Sequence, residues 1–376
     1  MEHNIQQSLF FDIETTGLSA DISAITVIGC CDMDGNATQW FNEDGLSQKQ
    51  ILTDFLAFIQ PYNTLITFNG KTFDLPFLTS KIKEFKINAS FDQYEHLDLY
   101  QILKPYKNLW GLKNFRQKNL EEYLGIQRID KLSGKKLIKT YQDYLENGEI
   151  KNKESLLLHN HEDLIGLHKI YSLMSYPALL DKEFTLSSYF IENDHFVAHL
   201  NLDIQIPVSC NYEKSGISLT LDHSNAILTC PLENGHLKHY LKDYKNYYYL
   251  PMEDLVIHKS MKSFVDTTSI IRADKNNCYS KFTPGDSFLS AKTDVTNYCA
   301  DIIYYIFSGK FNRIIIIKCV ILYLLFHLIQ DIYKPKPILV CFFSHTVLCL
   351  IYFLIFKFYE IPNIISANHK CICRCQ

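Results

Sequence analysis

An α/β fold, a mixed sheet flanked by helices, is predicted for residues 1–180, followed by a small β-rich region over 181–280 and an anomalous hydrophobic, cysteine-rich tail over 281–376. Three observations predict this division. Short β-branched and aromatic runs alternate with helical spacing up to about residue 175. From Glu183 to Tyr279 the pattern changes to period two, as in "HFVAHLNLDIQIPVSC" and "GISLTLDHSNAILTC". After about Ser280 the chain has few acidic residues and no Met, and fills with Ile, Phe, Tyr, Leu and Cys.

The opening run "LFFDIETTGL" reads as a core strand, and "AITVIGCCDMDGNATQWFN" as two more strands joined by a hairpin turn in "DMDGN". "SQKQILTDFLAFIQP" has apolar residues at Ile51, Leu52, Phe55, Leu56 and Ile59, with Ser47 as N-cap candidate and a stop at Pro61, so it is a helix. "TLITFNG" is a further strand, and "FDLPFLTSKIKEF" begins a helix with Pro76 in its first turn. Helical segments are expected around Leu99–Leu103, Leu112–Leu124, Lys136–Leu145 and Ser155–Met174. Three strands in sequence, then a helix, a strand and a helix, fit a mixed sheet that begins as an antiparallel meander.

Bulk properties narrow the function. A composition of 47% hydrophobic and 21% charged residues is that of an ordinary globular chain, and a net charge of −4 argues against gripping nucleic acid by a broad basic surface. Local basic strips remain in "KIKEFK" and "KLSGKKLIK", although such runs are usually solvated faces. Only five of the twelve cysteines precede residue 281, which points to a reducing, cytoplasmic setting, and the N-terminus shows no secretory pattern.

The first strand raises the chemical question. Side chains alternate with period two, so Asp12 and Glu14 share a face, where their like charges need a solvent, basic or metallic partner. Asp74 follows another apolar strand at a helix start, where an N-cap role is the plain alternative, and Asp163 lies amid apolar residues in "HNHEDLIGL". Four carboxylates converging on one sheet end would disfavour folding but suit two divalent ions.

In order and spacing, "FDIETTGL", "FNGKTFDLPFL" and "HNHEDLIGL" resemble the three exonuclease motifs of the DEDD family of 3′–5′ exonucleases, within the ribonuclease H-like superfamily, over residues 8–175. The likeness is greatest to the bacterial predicted-exonuclease branch. It implies a ribonuclease H-like fold in which Asp12, Glu14, Asp74 and Asp163 bind two Mg²⁺ or Mn²⁺ ions for in-line phosphodiester hydrolysis. It also implies a nucleic-acid partner, a single-stranded 3′ end, and no small-molecule cofactor. Family members are sorted by a Tyr four residues before the last Asp or a His five before it. Here His159 stands at the Tyr spacing, on the same helical face as Asp163, and is the expected group that orients or deprotonates water. His161, about 200° round the helix, is a weaker candidate, and a surface His at a helix start is the plain alternative.

Asn69 and Phe73 resemble residues that position the terminal nucleotide, although Asn69-Gly70 is also a turn and Phe73 also a core candidate. Asp98 is read mainly as a helix cap, Lys131, Lys135 and Lys136 as candidate phosphate contacts, and Tyr123 or Tyr141 as base-stacking candidates for which core packing is the safer reading. In the tail, Ile338–Phe356 meets the length criterion for a transmembrane helix, whereas 314–330 is interrupted by Lys318. Such a composition fits either a membrane segment or translation past a frameshift, and the abrupt change favours the latter. Cys371, Cys373 and Cys375 lack zinc-knuckle spacing. The rival functions are a non-catalytic nucleic-acid-binding protein of the same fold and a membrane-anchored protein.

Overall fold

The alternation of β1 (Ser8–Thr15) buries both of its faces, and the rest of the first domain is built on that fact. Leu9, Phe11 and Ile13 enter one core cluster while Phe10 enters another, so Asp12 and Glu14 continue the Phe10 row. β2 (Ile25–Asp32) and β3 (Ala37–Phe41) complete an antiparallel meander with β1. Their turn is held by Asp32, whose carboxylate accepts from the N–H groups of Asp34 and Asn36, and by Gly35 at φ +90°. After α1 (Gln48–Phe58), β4 (Thr64–Thr67) returns parallel to β1. α2 (Asp74–Glu84) leads to β5 (Glu95–Asp98), parallel to β4, and the sheet order is β3-β2-β1-β4-β5. The structure, a computed structural model, describes residues 7–130, 132–265, 270–308 and 312–315.

Ile51, Leu52 and Phe55 of α1 and Phe77, Leu78 and Ile82 of α2 share a core cluster with Phe11 and Ile13. The short α3 (Leu99–Leu103) and α4 (Gln117–Tyr123) follow, then α5 (Gly134–Asn147) and the long α6 (Ile150–Ile170). α4 is shorter than the spacing of 112–124 suggests, because residues 112–116 are irregular, with bends at 113, 114 and 116. Leu164, Leu167 and Ile170 of α6 share the core cluster of Phe10, which puts this helix over the acidic row of β1.

α7 (Ser175–Leu180) precedes β6 (Phe184–Glu192), the 20-residue β7 (His195–Lys214) and β8 (Ile217–Pro231), an antiparallel meander. β9 (Leu237–Tyr240), β10 (Tyr247–Leu250), β11 (Leu255–His258), β12 (Ile271–Arg272) and β13 (Tyr279–Phe282) form two small sheets. The chain is therefore β-rich here, as its period-two pattern predicts. The expected division at residue 180 is nevertheless no break in packing. One cluster runs from Leu164 and Tyr176 through Tyr212 and Leu219, and the Tyr212 hydroxyl donates to the Leu109 carbonyl at 3.1 Å.

Past residue 281, where the hydrophobic tail is expected to begin, the described chain still packs on the core. α8 (Asp286–Ser290) and α9 (Lys292–Phe307) follow β13, and Val295, Tyr298, Ile302, Ile303 and Ile306 of α9 are buried in the main core. β14 (Asn312–Ile315) then pairs with the end of β7. The apolar residues up to at least 307 thus cover the β-rich sheet. Among the described residues no helix is long and apolar enough to cross a membrane. The span candidate 338–356, the rest of 314–330, Cys371, Cys373, Cys375 and Lys131 lie outside the described residues.

Candidate active site

Carboxylates from three elements converge at one end of β1. Asp12 and Glu14 project from its α6-facing row. Asp74 is the first residue of α2, 5% exposed, and accepts the backbone N–H of Ile13 at 3.2 Å. It is not an N-cap: Phe73 holds that position, and the Asp74 carboxylate reaches across to β1 instead. Asp163 descends from α6. One ligand atom each of Glu14, His159 and Asp163 lies within 4.8 Å of the others.

The electrostatics record this crowding. Burial, then repulsion from Asp163, Asp74 and Glu14, pushes Asp12 well above its ordinary pKa. Burial and the charges of Asp163, Asp74 and Asp130 push Glu14 up to about 8. Burial, opposed by backbone N–H groups and assisted by Asp98 and Asp163, raises Asp74 to about 7. Carboxyls that repel one another in this way would be stabilised by a divalent cation between them. A set of carboxylate oxygens suits Mg²⁺ or Mn²⁺, so the residues fit such ions.

Asp12 is aimed by a residue that motif spacing does not single out. Asn160, fully buried, donates from Nδ2 to Asp12 Oδ2 at 3.0 Å, and its Oδ1 accepts from Gln39 Nε2 at 2.8 Å. Gly29, opposite Asp12 in the ladder, permits this approach, because a Cβ there would lie 2.0 Å from Asn160 Oδ1.

His159, 7% exposed, is not a surface histidine. Its Nε2 lies 3.2 Å from Asp163 Oδ2 and 3.6 Å from Glu14 Oε1, and its Nδ1 lies 2.5 Å from Asp130 Oδ2. The i, i+4 spacing of His159 and Asp163 therefore does put them on one face. Burial opposes the charge of Asp130, yet the Leu132 N–H and His159 hold its carboxyl below the ordinary value. Arg128 binds Asp163 Oδ1 at 2.5 Å while also pairing with Glu121, which is 2% exposed. Arg128 and Asp130 lie in the segment whose lysines are the sequence candidates, and no spacing signal marks them.

The other expected residues separate. Asn69 adopts φ +69°, and its N–H donates to Asp98 Oδ1 at 2.8 Å. Asp98 caps α3 through Tyr100 N–H and also holds Lys71 N–H, so it ties the loop before Asp74 in place. Phe73 is half-buried with its ring 5.7 Å from that of Phe77. Lys135, Lys136 and His161 are exposed. Tyr141 is core, donating to the Asn42 carbonyl, and Tyr123 packs beside Trp110.

Residues 9–175 match the family model RNase_H_2, described as RNase_H superfamily. This domain is ribonuclease H-like. No curated protein sequence matches the chain. Among solved structures it is similar to the family B DNA polymerase of the hyperthermophilic archaeon Pyrobaculum calidifontis, at 16% identity and TM-score 0.39, over 46% of this chain and 25% of the polymerase. It is similar as well to Brucella melitensis NrnC bound to pGG, at 18% identity and TM-score 0.33, over 46% of this chain and 74% of NrnC. The chain thus spans a quarter of the polymerase's length, and both overlaps leave more than half of this chain outside them.

Proposed function

We propose that the ribonuclease H-like domain is a two-metal-dependent nuclease, a 3′–5′ exonuclease acting on DNA or RNA ends. The observation that carries this reading is the convergence of Asp12, Glu14, Asp74 and Asp163, with Glu14 and Asp74 pushed to about 8 and about 7. The RNase_H superfamily match over residues 9–175 supports it. Bound Mg²⁺ or Mn²⁺ ions supply an activated water and stabilise charge on the phosphate and leaving oxygen.

The four carboxylates would hold the ions, with Asn160 fixing the rotamer of Asp12. Arg128 holds Asp163 Oδ1 and so turns Oδ2 toward His159. His159 accepts a proton at Nε2 from the attacking water. Asn69, set by Asp98, and the half-buried Phe73 would receive the terminal nucleotide beside Asp74.

The test uses the full chain, because α9 belongs to the core. Single-stranded DNA and RNA, labelled at either end, are incubated with Mg²⁺, Mn²⁺ or EDTA, beside Asp163→Ala and His159→Ala. Metal-dependent shortening from the 3′ end, abolished in Asp163→Ala and lowered roughly 10²–10⁴-fold in His159→Ala, is expected. Binding without cleavage under either ion would leave a nucleic-acid-binding protein in its place.

A further inference from the structure

Resting on the nuclease reading, we propose that Asp130 is the positioning residue of the reaction: it fixes the tautomer of His159 so that Nε2 faces the reacting water as an acceptor. The two groups are 29 residues apart and nearly buried, at 8% and 7% exposure, with Nδ1 and Oδ2 2.5 Å apart. An ionised carboxylate only accepts, so His159 carries its hydrogen on Nδ1 and, when neutral, has a bare Nε2. That nitrogen points between Glu14 Oε1 and Asp163 Oδ2, the place where the carboxylate cluster meets the helix. The opposite tautomer would aim an N–H at those oxygens and could take no proton at Nε2.

The surroundings hold Asp130 at both oxygens and through its backbone. Asp130 Oδ1 accepts the Leu132 N–H at 2.9 Å, leaving Oδ2 to His159. Glu162, next to Asp163 in α6, accepts the N–H groups of Ile129 and Asp130 at 2.8 and 2.9 Å. Helix and loop are therefore pinned at the place where the His159 ring is oriented. In the step itself an O–H bond of water breaks as an N–H bond forms at Nε2, and the oxygen lone pair attacks phosphorus. The P–O3′ bond breaks, and the leaving oxygen is protonated from solvent. Asp130 stays ionised beside the imidazolium, as the acid does in Ser-His-Asp sites.

The experiment is long-range ¹H–¹⁵N NMR of the full chain, ¹⁵N-labelled at histidine and loaded with Mg²⁺, together with cleavage kinetics of wild type, Asp130→Asn and Asp130→Glu. The expected wild-type spectrum shows His159 protonated at Nδ1, and it decides the matter even where a variant does not fold. Asp130→Asn is expected to shift the tautomer and lower kcat roughly 10²–10⁴-fold at nearly unchanged KM and Mg²⁺ affinity, with Asp130→Glu recovering part. An Nε2–H wild type, or Asp130→Asn with kcat near wild type, overturns the positioning role while the nuclease reading stands. A chain without metal-dependent cleavage overturns both.

Discussion

Replacing Gly29 by Ala tests how Asp12 is held, because the hydrogen bond from Asn160 exists only where β2 has no side chain. A Cβ at position 29 would stand 2.0 Å from Asn160 Oδ1 and 2.7 Å from Leu164 Cδ1, against ordinary contacts of 3.4–4 Å. The Leu164 methyl can rotate away. The amide must retreat by about 1.4 Å, the difference between 3.4 and 2.0 Å, which breaks its bonds to Asp12 and Gln39. A fully buried amide left unpaired costs about 1–3 kcal/mol, and overpacking between sheet and helix adds about 1–3 kcal/mol. A loss of about 2–6 kcal/mol at roughly 2–4 °C per kcal/mol lowers the Tm by roughly 4–24 °C. The assay is a thermal-denaturation double-mutant cycle with Asn160→Ala in the full chain. Since the clash needs the amide, the double variant should be more stable than the sum of the singles predicts, by about 1–3 kcal/mol. A Gly29→Ala chain as stable as wild type, or singles that add within about 0.5 kcal/mol, would refute the reasoning.

Without divalent ions, Glu14 at about 8 and Asp74 at about 7 bind protons more tightly in the folded chain than their ordinary values of 4.5 and 3.8 allow in the unfolded one. Their contribution to stability is therefore complete below pH 4 and is lost as pH rises through about 8, so the Tm in EDTA should fall over that window. Mg²⁺ should raise the Tm most at the alkaline end, and a Mg²⁺ effect independent of pH would count against a site built on these carboxylates. Asp98→Ala removes an acceptor from the N–H groups of Asn69, Lys71 and Tyr100, and should cost about 2–4 kcal/mol in denaturant unfolding. It should also weaken metal-dependent cleavage by releasing the loop before Asp74. Unchanged stability would show that the loop holds itself.

Much of the first domain is legible in the chain because its signals are local. Alternation along "LFFDIET" places Asp12 and Glu14 on one face, and the i, i+4 spacing in "HNHED" places His159 with Asp163, in both cases from the geometry of a single element. Elsewhere a local pattern has two physical outcomes. An acid at a helix start can cap or can reach a neighbouring strand, and Asp74 does the second. The apolar run of α9 packs inward, and Val295, Tyr298 and Ile302 are buried in the core.

The sequence by itself determined the strand and helix periods and, through them, the pairs Asp12 with Glu14 and His159 with Asp163, while the motif resemblance alone implied that these pairs and Asp74 share one site. Only the tertiary structure decided what holds them. Asn160 meets Asp12 across 148 residues because Gly29 leaves room, and Asp130 meets His159 because Glu162 anchors its loop to α6. Such contacts depend on which elements the topology packs together, and a local repeat carries no record of a partner that lies on another element.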